Sequence, residues 1–155
     1  MTDERILREQ IVALLKGGHA HESFDDIVSG FPLEAINRSV PGLDYTPWRL
    51  LEHIRIAQWD ILEFVRNPRH VSPPWPVGYW PPVGATTDAA GWRQSQEGFK
   101  RDLTDLVKLA EDPANDLTAS LPHAPGYTLV RELLLAADHN AYHLGEFGIL
   151  KTLLV

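Results

Sequence analysis

The chain has no cysteine, which removes disulfides and thiolate ligands and leaves His, Asp and Glu to hold any metal ion. It has no apolar run of about 18 residues, the least that reads as a membrane-spanning helix. Cations are scarce: Lys and Arg total 14 against 21 Asp and Glu, and the formal net charge of -7 repels phosphate backbones and anionic lipid. Neither nucleic acid nor a membrane is expected as a partner. The opening MTDERILREQ carries acids and no uninterrupted apolar core, unlike a secretory signal, so a cytoplasmic protein is expected. Internal repeats, polar tracts and convincing strand alternation are also lacking. What is present, 44% hydrophobic and 23% charged residues over 155 positions, suits a single domain over 1–155 that folds by itself.

Four segments carry helical periodicity. The first runs over 3–16, with Ile6, Leu7, Ile11, Leu14 and Leu15 on one face, and Gly17-Gly18 stops it. Ser23 then caps a short turn through Phe24, Ile27 and Val28. The second helix starts at Thr46 as N-cap with Pro47 behind it, where a missing N–H costs nothing, and reaches Val65 or Arg66. Thr87 and Asp88 open the third, whose Trp92, Phe99, Leu103, Leu106 and Ala110 stripe suits a bundle core, and Asp112-Pro113 closes it. Thr128 caps the fourth, which runs nearly to Val155 and is the most buried by composition. These segments predict an all-α four-helix bundle.

Between the second and third helices lies NPRHVSPPWPVGYWPPVGATT, residues 67–87, with six of the twelve prolines and two of the five tryptophans. It fits neither a helix nor a central strand. A loop of that length in a compact domain has a function or crosses the whole molecule.

His139 and His143, four apart in the last helix, place both rings on one face within reach of one ion. They interrupt an apolar surface, with Leu135 and Ala136 before and Ile149 and Leu150 after, where unpaired imidazoles are costly. His53 shares a core-facing stripe with Leu50, Ala57 and Phe64. Three imidazoles leave a tetrahedral divalent ion one position for water or substrate, the mark of a catalytic site. The alternative is that each is an ordinary core or surface histidine. Glu146 and Asp60 are candidates to accept an N–H from a liganding ring or to take up a proton, and exposed helix charges otherwise. His19 and His21, beyond the first helix, are weaker candidates for the pocket, and His70 and His123 read as solvent residues. Tyr142, Trp59, Tyr45, Trp75 and Trp80 are candidate pocket walls, and Gly145 and Gly148 suggest close approach of a helix or ligand.

DHNAYHLGE together with TPWRLLEHIRIAQWD resembles the DinB-like superfamily of metal-binding four-helix bundles. The resemblance implies an up-down-down-up order with 67–87 as the crossover between parallel second and third helices. Twenty-one extended residues span up to about 70 Å against about 28 Å for a 19-residue helix, so length is spare to fold over one end. The resemblance also implies a divalent metal on His53, His139 and His143. Imidazole ligands suit several ions; zinc is expected first, with nickel, iron or manganese as alternatives.

The family includes bacillithiol- and mycothiol-dependent transferases and proteins proposed as metal-dependent hydrolases. The leading expectation is an enzyme acting on a small molecule by thiol transfer, with a low-molecular-weight thiol cosubstrate. Hydrolysis is the alternative, and a non-catalytic metal- or ligand-binding protein the second class. A homodimer fits either.

Overall fold

A computed structural model describes residues 2–155. The chain is mostly helical, with α1 (Thr2–Lys16), α2 (Pro47–Arg66), α3 (Ala89–Glu111) and α4 (Leu129–Leu154), and one small hairpin of β1 (Ser120–Leu121) and β2 (Ala124–Thr128). Among the described residues no helix is long and apolar enough to cross a membrane.

Local chemistry sets the helix starts. The side chains of Thr46, Asp88 and Thr128 accept the backbone N–H of Arg49, Gly91 and Arg131, satisfying donors that have no partner inside a helix. Gly17 and Gly18 end α1 at φ of +66° and +81°, a region that side chains with a Cβ disfavour. Ser23 accepts the Asp26 N–H, and its hydroxyl donates back to the Asp26 carboxylate at 2.6 Å, capping the turn Asp25–Ser29.

Contacts along the helices fix their directions. Trp48 donates to Ser95, Gln58 to the Phe99 carbonyl and Arg66 to Asp105, so α2 and α3 run parallel. His53 meets His143 and Gln58 meets Asn140, so α4 runs antiparallel to α2. α1 packs on α3 and α4. Gln58, 1% exposed, ties α2, α3 and α4 together through the Phe99 carbonyl and Asn140, both at 2.8 Å. Phe24, Phe31, Trp92, Phe99 and Phe147 fill one half of the core; Ile11, Leu15, Leu62, Leu106 and Leu133 fill the other.

Four expectations change. Residues 120–128 form a hairpin that periodicity does not reveal, because a two-residue strand has no alternation to read. On α1, Ile11 and Leu15 are buried, whereas Ile6, Leu7 and Leu14 are exposed. Arg8 is buried instead, donating to the carbonyls of Ala110, Asp112 and Asn115 just past α3. α4 is not the most buried helix: 10 of its 26 residues are buried against 11 of the 20 in α2, and Leu134, Leu135, Tyr142 and Ile149 face outward. Gly145 and Gly148 face open space, with no atom of the described residues within 4 Å of where a Cβ would stand, so no neighbouring helix of the described chain approaches either.

Segment 67–87 doubles back along α2. His70 Nε2 and the Tyr79 hydroxyl both donate to Asp60 at 2.6 Å, Trp80 lies on His53, and the Pro81 carbonyl accepts from Arg49. Its end is pinned by Asn37, which exchanges two hydrogen bonds with the Thr87 backbone. The loop therefore covers the face of α2 that carries His53 and brings the chain to the start of α3.

Candidate metal centre

His53 from the second turn of α2 and His139 and His143 from consecutive turns of α4 converge. Nε2 of His53 lies 3.1 Å from Nε2 of His143 and 3.2 Å from Nε2 of His139. These three form a group that could hold a metal ion, and His19 and His21 are not in it. His53 is 2% and His143 9% exposed.

The outer nitrogens decide what the inner ones offer. His53 Nδ1 faces the Tyr79 carbonyl at 3.0 Å, and a carbonyl only accepts, so the proton is on Nδ1. His143 Nδ1 faces Oε2 of Glu146 at 2.5 Å and carries its proton for the same reason. In the neutral rings both Nε2 atoms then present lone pairs to each other at 3.1 Å, an arrangement that repels unless a cation lies between them. A tetrahedral ion with bonds of about 2.0–2.1 Å sets its ligand nitrogens about 3.3 Å apart, close to both spacings. The donor set therefore fits a divalent ion. His139 Nδ1 is buried without a partner among the described residues.

Electrostatics favour the neutral form, the one that ligates, at His53 and His139. Burial pushes His53 down to about 4, against the Tyr79 carbonyl, which favours the protonated ring. Burial and the two neighbouring imidazoles push His139 down to about 3.

Aromatic side chains enclose the group. Trp80 stacks on His53 with centroids 3.8 Å apart and planes 4° from parallel; its ring also packs on Tyr45 at 5.6 Å. Tyr142 meets His143 edge-on at 4.9 Å, although it is 67% exposed. The Tyr45 phenol is pushed up to about 12 by burial and by the facing Glu146 carboxylate.

Of the two carboxylates named from sequence, Glu146 meets a ring of the group directly. Asp60 does not: it accepts from His70 and Tyr79, and reaches His53 through Tyr79, whose carbonyl accepts a hydrogen bond from His53 Nδ1. Two loop histidines expected in solvent have structural partners. The His70 side chain is 7% exposed on Asp60, and His123 Nε2 donates to the Phe64 carbonyl at 2.7 Å. Trp59 packs on His70, away from the pocket, and Trp75 is 75% exposed. His21 donates to the Glu22 carbonyl and His19 is exposed. Leu135 and Ile149 are exposed, so the histidine pair sits at the edge of the apolar face of α4 and not in its middle. Sequence reasoning missed Tyr79 and Arg49. The first acts through its backbone, which no residue type signals; the second is one arginine among many.

Comparison of the chain with protein-family models, curated proteins and solved structures returns no match.

Proposed function

We propose that this protein is a metal-dependent enzyme acting on a small organic molecule, built on the up-down-down-up four-helix bundle of the DinB-like superfamily. The parallel course of α2 and α3, and the crossover 67–87 between them, support that fold. One observation carries the chemistry: two imidazoles whose Nδ1 protons are committed outward aim their Nε2 lone pairs at one another, with a third ring beside them.

His53, His139 and His143 would hold the ion, leaving a position for water or substrate. When bound, such an ion lowers the pKa of a coordinated water or thiol and so generates a nucleophile at neutral pH. The chain's own groups do the rest. Glu146 fixes the His143 tautomer and, facing the Tyr45 hydroxyl, is a seat for a proton at the rim. Asp60 is a positioning residue that acts through Tyr79. Trp80 and the proline-rich loop keep water from the buried face of His53. Thiol transfer is the first reaction proposed and hydrolysis the second; zinc is the first ion to test.

Elemental analysis of purified wild type beside His53→Ala and His139→Ala tests the site. Stoichiometric metal in the wild type, lost in both variants, is expected. Metal content unchanged by either substitution sinks the reading. Turnover then separates the classes: metal-dependent consumption of thiol with an electrophile, or of a model ester, marks an enzyme, and tight binding without turnover marks a sensor.

A further inference from the structure

Arg49, in the first turn of α2, is 7% exposed, and among the described residues no carboxylate lies within ion-pair distance of its guanidinium. Its partners are backbone carbonyls. Nε and Nη2 donate to Pro81 at 3.2 and 3.1 Å, and Nη1 donates to Asp44. A guanidinium has five N–H donors, so two have no acceptor among the described residues. The other buried arginine, Arg8, also grips carbonyls but has Glu4 as counter-ion at 2.6 Å. A buried cation without an anion is unfavourable unless something completes it.

Arg49 borders two adjoining cavities of about 450 and 630 Å³. The smaller is walled by Tyr45, Trp80, Pro76, Val77 and Pro82. Trp80 is the wall it shares with the histidine group, since the indole also lies on His53. Tyr45 borders both cavities and faces Glu146. The cavity thus stands one side chain from the three imidazoles. Val77 and Val83, 74% and 91% exposed, bring apolar surface to its mouth. Asp44 is the acid among the lining residues, and its exposure lets water and salt screen it.

We propose that this cavity seats the organic substrate of the centre, and that the substrate is a carboxylic acid with an apolar or aromatic body. The carboxylate docks on the free edge of Arg49, and the body lies against Trp80, Tyr45 and the prolines. A planar carboxylate matches the guanidinium fork, and one cation with an acid nearby suits a monoanion better than a phosphate. The word substrate rests on the metal-enzyme reading; the binding of the acid does not.

The test titrates 3-phenylpropionate and its neutral amide into metal-loaded and chelator-stripped protein, read by tryptophan fluorescence and calorimetry. The acid is expected to bind about tenfold or more tightly than the amide in both forms, and Arg49→Met to reduce it to the level of the amide. Val77→Glu, at an exposed position, keeps the test sound even where Arg49→Met loosens the loop. It is expected to weaken the acid about threefold or more while leaving the amide unchanged. Equal affinity for acid and amide, or no saturable acid binding below about 10 mM, overturns the proposal. Acid preference in a protein that retains no metal overturns the metal centre and leaves this subsite; retained metal without acid preference overturns the subsite alone.

Discussion

The Tyr79 carbonyl accepts the Nδ1 proton of His53 at 3.0 Å, while the Tyr79 hydroxyl donates to Asp60 at 2.6 Å. One loop residue therefore joins a buried carboxylate, two turns past His53 on α2, to the tautomer of a candidate ligand. Tyr79→Phe keeps the carbonyl but leaves Oδ2 of Asp60, a residue 8% exposed, without that donor, at a cost of about 1–3 kcal/mol. The expected result is a lower Tm and a several-fold weaker metal Kd in a chelator competition. Wild-type metal affinity in this variant would show that the loop does not position His53.

Glu146 acts on the other ring. Its carboxylate holds the His143 proton on Nδ1 and makes Nε2 the better donor. Glu146→Ala is expected to weaken metal binding about 10–100-fold, the usual effect of losing such an outer partner. Glu146→Gln keeps an acceptor without the charge and is expected to fall between, with the order wild type, Gln, Ala read from competition titrations. If all three bind alike, Glu146 is an ordinary helix charge.

Cap chemistry and ligand spacing were legible from sequence because both are local. Thr46, Asp88 and Thr128 begin their helices because their side chains reach the orphan N–H groups of the next turn, and His139 and His143 share a face by helix geometry alone. What escaped depends on distant chain. Its place two turns past His53 makes Asp60 a candidate partner of a liganding ring, but the loop supplies His70 and Tyr79 to it first. The burial of Arg8 depends on carbonyls more than 100 positions away, which periodicity cannot register. By composition α4 reads as the most buried helix, but apolar residues such as Leu134, Leu135 and Ile149 lie on its outward side, and composition has no direction.

Without metal, the same imidazoles make stability depend on pH. His53 and His139 are held below the 6.5 of a free imidazole, so from 6.5 down to about 4 for His53 and about 3 for His139 the unfolded chain binds protons that the folded chain refuses. Stability is then complete above 6.5 and falls as pH falls through that window. For His53 alone the loss from pH 7 to 5 is about 2 kcal/mol. Chelator-treated wild type should melt earlier at pH 5 than at pH 7, and His53→Gln should flatten the dependence. A flat profile in the wild type would mean that the rings are not buried as neutral groups.

Trp80 offers an optical reading of the same site. Its indole is parallel to the His53 ring at 3.8 Å, while Trp48 contacts Ser95, Trp59 contacts His70, Trp75 contacts Tyr79 and Trp92 contacts Phe31. A paramagnetic ion on His53 would lie closest to Trp80, so Cu²⁺ or Ni²⁺ added to metal-free protein should quench emission mainly from that residue. Trp80→Phe keeps an aromatic ring over the imidazole and is expected to retain metal within a few-fold while losing most of the quench. Trp80→Ala admits water to the ring face and should weaken binding as well. Quenching unchanged in Trp80→Phe would place the ion away from the indole, and would count against His53 as a ligand.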